Sequence, residues 1–239
     1  MQRKTFTWTL PREIEARLGE STYGRQRIIQ EADNLLIILH SPPAEETHQR
    51  EAHVFLRKPN GALMWNGQEN GEIKLKRLLA SYRELFEKYD EALESAHTAT
   101  DLFTILEPLA PLNRASTHLM ETLESARDAV KEDKFLIAMR DEAYELSRSF
   151  ELLFTDAKLE LEYRVAQNAE AQMAKSQEMA RAQQKLNTLA AATFPLMALA
   201  TVFGMNLANG LEAGPIFFWL VLSAAIGAGV LTMDWVRKH

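Results

Sequence analysis

Residues 186–233 read LNTLAAATFPLMALATVFGMNLANGLEAGPIFFWLVLSAAIGAGVLTM, and Glu212 is the only charged side chain among them. A helix needs about 20 apolar residues to cross the hydrocarbon core of a bilayer. The stretch holds two such segments, 186–203 and 216–233. The connector between them, 204–215, is short enough to predict a tight antiparallel hairpin of two spans.

The rest of the chain is a different polymer. Lys and Arg number 27 and Asp and Glu 33, and all but Glu212, Asp234, Arg237 and Lys238 lie in residues 1–185. The mean hydropathy of -0.24 is therefore an average over two unlike parts. It describes neither a simple soluble domain nor a chain that is mostly in the membrane. There is no cysteine, which excludes disulfides, thiolate metal sites and a cysteine nucleophile. A net charge of -6 without a basic run argues against nucleic acid as a partner. Met1–Phe6 leads into no apolar run, so no cleavable signal peptide is expected.

Flanking charge sets the expected orientation. Arg181 and Lys185 precede the first span, Arg237 and Lys238 follow the second, and the connector has no Lys or Arg. The positive-inside rule then puts both termini in the cytoplasm of a multi-pass protein of the cell (inner) membrane. The second span carries Phe217, Phe218, Trp219, Leu220 and Ile226, which suit lipid. Its small residues, Ala224, Ala225, Gly227, Ala228 and Gly229, offer a patch for close helix contact. The first span is more polar, with Asn187, Thr188, Thr193, Thr201 and Pro195. Polar side chains in hydrocarbon usually face protein or water.

Upstream, Gly is absent from 72–203 and Pro from 112–194. Phe135, Met139, Ala143, Leu146, Phe150, Leu153, Ala157, Leu161 and Val165 recur at spacings of three and four, one stripe of a long helix. Run on from about 134 to 203, that helix is roughly 105 Å long at ~1.5 Å per residue. Residues 166–185 lose the stripe and predict either a solvated stalk or the lining of a wet cavity among copies. Two amphipathic helices are expected before it, over 72–98 and 109–130, separated by a short segment around 102–108. The first 70 residues predict a small α/β cap. It has a short helix at 11–18 and hairpins 27–30 with 35–40 and 52–57 with 62–66, the second turning at Asn60-Gly61.

The division expected is thus a cap, 1–70; a helical stalk or funnel, 71–185; a first transmembrane helix, 186–206; a loop, 207–215; a second transmembrane helix, 216–233; and a tail, 234–239. The fold class is a mainly α membrane protein.

Between the spans stands Gly204-Met205-Asn206, after Phe203 and behind Phe194-Pro195-Leu196. A tripeptide alone has little specificity. At the end of the first of two C-terminal spans, behind a very long helix and with almost nothing after the second span, it resembles the signature of the CorA superfamily of divalent-cation channels and transporters. The resemblance is strong over about 130–239 and weaker, though consistent in order, over 1–130. It implies a homopentameric funnel whose first spans line an axial pore and whose second spans face lipid. It implies a selectivity filter at Gly204, Met205 and Asn206. Five Asn206 amides would hydrogen-bond the shell of a hydrated Mg²⁺, an ion that gives up water reluctantly. Met205, a soft thioether, suits packing better than ligation.

Helical spacing back from Asn206 gives the pore-lining candidates Thr201, Met197, Phe194, Ala190, Asn187, Leu186 and Gln183. Met197, Phe194 and Leu186 could gate by dewetting. Glu212 could attract cations at the outer mouth. The connector is shorter than in many members and lacks their Met-Pro-Glu-Leu. Acidic sensing pairs do not transfer onto this chain, and Glu142, Glu145, Asp156, Glu160 and Glu162 read as helix-surface charge. His40, His48 and His53 read as scattered surface histidines.

The expected function is entry of Mg²⁺, with Co²⁺ or Ni²⁺ as further cargo. An inside-negative potential favours a divalent cation by about 4.6 kcal/mol per 100 mV, twice the single-charge value. No cofactor and no enzymatic activity are expected, and no GxxxxGK[ST] occurs. The alternatives are a proton-coupled zinc transporter of the ZntB branch, for which neither span offers His or Cys, and a membrane-anchored coiled-coil scaffold that transports nothing.

Overall fold

The computed structural model describes residues 10–20, 23–43, 51–204 and 215–238. The chain divides into two compact units, Met1–Val165 and Ala166–His239.

The first unit begins with a single turn of helix, α1 (Arg12–Glu15), and a four-stranded antiparallel meander. Its strands are β1 (Arg27–Glu31), β2 (Asn34–His40), β3 (Ala52–Arg57) and β4 (Leu63–Trp65), adjacent in chain order. Both expected hairpins form. The first turns on Ala32 and Asp33 at φ 46° and 58°, the paired left-handed conformation that matches strand twist. Pro11 stands just before α1 as its N-cap, one residue earlier than the first helical position expected for it.

β2 is buried on both faces, and side-chain alternation splits it between two cores. Leu36 and Ile38 join Ile29, Val54, Leu56 and Met64 under Leu10, Ile14, Leu18 and Tyr23. Leu35, Ile37 and Leu39 join Phe55 and Leu63 against the helices. The small cap thus gains its core by packing on the helices downstream of it, as its size requires.

Three helices supply that support. α2 (Gly71–Glu94) buries Leu75, Leu78, Leu79, Tyr82 and Tyr89. Gly71 fits only as glycine, since a Cβ there would sit 2.6 Å from the Leu63 carbonyl oxygen. α3 (Ala99–Ala129) is longer than expected. The segment 102–108, expected to be a break, is helix, and Pro108 and Pro111 lie inside it. Two things outweigh the lost backbone bonds. Thr98 and Asp101 form a reciprocal capping box that starts the helix early, and Leu102, Ile105 and Leu109 are buried in the core. The third helix, α4 (Lys134–Gly204), runs 71 residues without a break. Asp133 accepts from the Phe135 and Leu136 N–H groups at 3.0 and 3.1 Å and pairs with Arg57 Nε at 2.6 Å, which ties β3 to the start of α4. Leu136, Met139, Ala143, Leu146, Phe150, Leu153 and Ala157 form its buried stripe. Phe150 meets Tyr82 and Phe86 edge-on, with ring centroids 6.5 and 5.8 Å apart. Val165, expected to extend the stripe, is 52% exposed, because the packing partners end at about Leu161.

The second unit is the rest of α4 and a final helix, α5 (Pro215–Lys238). Every residue from 165 to 187 is exposed. Two helical stretches are long and apolar enough to cross a membrane, one within α4 and one over Trp219–Val236.

Candidate functional site

The sequence candidates lie in the second unit. Met205, Asn206 and Glu212 fall outside the described residues, and Gly204 is the last residue of α4. The other seven are on α4. Leu186, Phe194 and Met197 are 60%, 66% and 61% exposed; Gln183, Asn187 and Thr201 are exposed and Ala190 half-buried.

α4 and α5 touch along small residues. Ala225 and Gly229 are the buried residues of α5 among those described. A Cβ at position 229 would lie 2.6 Å from the Ala192 carbonyl oxygen, so only glycine permits this approach. Gly227, expected in the same patch, has nothing within 4 Å of its Cβ position and takes no part. Beside the contact is a cleft of about 180 Å³, lined by Leu196, Ile226, Val230 and Met233 as well as the small residues.

The helical period sorts α4 into two sides. At ~100° per residue, Gln183, Leu186, Asn187, Ala190, Phe194, Met197 and Thr201 lie roughly 120–220° around the helix from Ala192. They therefore share the side turned away from α5. Along it, Gln183 Nε2 donates to Asn187 Oδ1 at 3.0 Å. The Thr201 hydroxyl donates to the Met197 carbonyl at 2.8 Å, which leaves its oxygen free to accept. This side combines amides, a hydroxyl and large apolar groups without a charge. It can hold a hydrated ion through water, but it has no ligand set to strip one.

Thr232 has a role that sequence reasoning missed. Its Oγ1 lies 2.6 Å from the Ala191 carbonyl oxygen on the other helix. A signal for it exists: Pro195 has no N–H, so the carbonyl four residues before it needs a donor from elsewhere.

The first unit has no competing metal centre among its described residues: no three His, Asp or Glu side chains converge. Glu142, Glu160 and Glu162 are engaged with Arg83, Arg164 and Lys158. His40, expected at the surface, is buried at 6% exposure, because its position ends the two-sided strand β2. Its N–H donates to Gln26 Oε1 and its carbonyl accepts from the Tyr82 hydroxyl at 3.1 Å. His53 is half-buried, and His48 lies outside the described residues. A cavity of about 560 Å³ lies beside His40, with Arg25, Arg27 and His118 at its wall.

The fold and the two apolar helices define the class: a mainly helical protein with a small sheet, a very long helix and a C-terminal apolar hairpin of the kind that spans membranes. Solved structures share this fold. The ZntB cytoplasmic domain from Vibrio parahaemolyticus RIMD 2210633 matches with a TM-score of 0.51 at 12% identity, covering 68% of this chain and 80% of that one. Full-length CmaX matches with a TM-score of 0.50 at 16% identity, covering 96% of this chain and 81% of that one. The CorA magnesium transporter from Methanocaldococcus jannaschii aligns over 95% of this chain at 18% identity, but its TM-score of 0.37 is too low to carry an argument. No protein-family model and no curated protein matches the sequence.

Proposed function

We propose that the chain is one subunit of a homopentameric CorA-superfamily channel that moves divalent cations, foremost Mg²⁺, down the membrane potential. The observation that carries the reading is the asymmetry of α4 in the second unit. One side meets α5 through Ala192. The opposite side leaves Gln183, Asn187 and Thr201 exposed, with Phe194 and Met197 between them, and their hydrogen bonds stay within α4 itself. Polar groups at membrane depth need protein or water. Copies of α4 around an axis supply both, with α5 as the outer ring. Its exposed Ile216, Trp219, Leu220, Ile226 and Leu231 suit lipid.

In this arrangement Asn206 rings the outer mouth and contacts the ion through its hydration water. Thr201 and Asn187 offer further polar rings inward. Phe194, Met197 and Leu186 narrow the path between them, so hydration of that stretch decides whether ions pass. Glu212 raises the local cation concentration at the mouth. Both termini lie in the cytoplasm, and the first unit forms the wall of the cytoplasmic funnel.

Purified protein in liposomes should carry Mg²⁺ along an imposed inside-negative potential without an energy source. Asn206→Ala should lose most of that flux. Zn²⁺ flux that depends on a proton gradient, with none of Mg²⁺, would move the assignment to a proton-coupled zinc transporter. No flux of either ion from protein of pentameric mass would leave only a scaffold.

A further inference from the structure

The threonine hydroxyls of α4 in the second unit donate to their own helix. Thr188 reaches the Gln184 carbonyl at 2.8 Å, Thr193 the Leu189 carbonyl at 3.0 Å and Thr201 the Met197 carbonyl at 2.8 Å. This is the ordinary use of threonine in an apolar helix. Thr232 on α5 departs from it. Its Oγ1 is 2.9 Å from the Ala228 carbonyl and 3.0 Å from the Gly229 carbonyl, both in its own helix, yet 2.6 Å from the Ala191 carbonyl of α4. A hydroxyl has one proton to donate. The Ala191 carbonyl is the nearest of the three acceptors.

The Ala191 carbonyl is a special acceptor. In an α-helix it would receive the N–H of residue 195, and residue 195 is proline. Water does not replace that donor in hydrocarbon. The close approach of Gly229 to Ala192 brings Thr232 within reach of the orphaned carbonyl one turn away. Proline, glycine and threonine thus form a single joint.

We propose that Thr232 is a positioning residue for the ion pathway. Its hydroxyl supplies the hydrogen bond that Pro195 denies to Ala191 and latches α4 to α5. Redirection of that hydrogen bond to the Ala228 or Gly229 carbonyl opens the latch and lets α4 bend at Pro195. The bend point lies among Ala190, Phe194 and Met197, so the latch fixes the width of the path that these residues line. This last step rests on the channel reading above; the latch itself does not.

The test is a double-mutant cycle in full-length protein, which keeps the two questions apart. Thr232→Val preserves volume and removes the donor, and Thr232→Ser keeps the donor. Each is made with Pro195 and with Pro195→Ala, where a backbone N–H again serves Ala191. Thermal unfolding in detergent is the first readout. Thr232→Val should lower the midpoint by several degrees beside Pro195 and leave it unchanged beside Pro195→Ala, while Thr232→Ser should match the native protein in both. If Thr232→Val fails to assemble beside Pro195 but assembles beside Pro195→Ala, the latch is equally supported. Equal shifts in both backgrounds would mean that the hydroxyl serves only its own helix, and no shift in either would remove the latch altogether. Mg²⁺ flux in liposomes is the second readout. Thr232→Val should change the rate at least threefold relative to Thr232→Ser, and equal rates would overturn the positioning role. A positive unfolding cycle with no Mg²⁺ flux from any form, native included, would sink the channel reading and leave the latch standing.

Discussion

The two units bury their apolar residues in opposite ways. Residues 10–165 hold nearly all the buried hydrophobic side chains of the described chain, from β2 through α4. The second unit is far more apolar over 186–233, yet among the described residues of α5 Ala225 and Gly229 are the buried ones, and Leu189, Phe194, Leu220 and Leu231 stand 60–73% exposed. A chain in water does not leave such an apolar surface bare. The first unit closes its core within one chain. The second leaves its apolar surface open, as the proposed placement in lipid among other copies of the chain requires. The same residue type therefore carries different information on either side of Val165: in the first unit a phenylalanine reports on folding, and in the second, on the proposed reading, on assembly and transport.

Two phenylalanines on one helix make the contrast testable. Phe150 is fully buried against Tyr82 and Phe86, and Phe194 is 66% exposed. Phe150→Ala should cost about 3–5 kcal/mol, seen as a large loss in the unfolding midpoint of the full-length protein. Phe194→Ala should leave that midpoint nearly unchanged and alter Mg²⁺ flux instead. If Phe194→Ala were the more destabilising, the division between the units would be wrong.

The next effect concerns the helix contact of the second unit. Gly229→Val places atoms where the Ala192 carbonyl already stands, so the hairpin must open. Native-mass measurement in detergent should show loss of the oligomer, whereas Gly227→Val, at a position with open space around it, should keep it. Smaller again is the joint between sheet and long helix. Asp133→Ala removes a cap and leaves the Arg57 guanidinium, 15% exposed, without its carboxylate, at a cost of about 1–3 kcal/mol by chemical denaturation.

The smallest effect is one of pH. The Thr98 side chain first, then the Thr98 and His97 N–H groups, hydrogen-bond the Asp101 carboxylate and hold its pKa below the ordinary carboxylate range. A carboxylate whose pKa is lower folded than unfolded stabilises the fold above its unfolded pKa. That contribution is lost as pH falls through the lower, folded value. Amide protection in the first turn of α3, taken as exchange relative to the intrinsic rate at each pH, should therefore fall on acidification below the ordinary carboxylate range, and Asp101→Asn should remove that dependence.

Much of the fold is legible in the sequence, for physical reasons. The hairpins are readable because turn residues stand between short apolar runs, and the α4 stripe because a half-buried helix writes its period into the chain. The spans are readable because charge is all but excluded over residues 186–233. Features decided by tertiary contact are not. Pro108 and Pro111 signal a break, but the packing of Leu102, Ile105 and Leu109 overrides them. His40 reads as surface because its neighbours in sequence include polar residues, while its neighbours in space are β1, α2 and Gln26. Gly227 and Gly229 are alike in composition, and only the helix crossing tells them apart. Thr232 escapes notice because its partner is 41 residues away, although the proline that creates the need is in plain view.

The absence of cysteine from the chain allows a direct test of the central claim, that the side of α4 turned away from α5 faces water inside an oligomer. Single cysteines at Asn187, Met197 and Thr201, and at Leu231 on α5 for comparison, can be exposed in liposomes to a charged, membrane-impermeant thiol reagent while Mg²⁺ flux is followed. The three α4 positions should react and lose flux, and Leu231→Cys should neither react nor change its rate. Modification and block at Leu231→Cys, with the α4 positions inert, would contradict the claim.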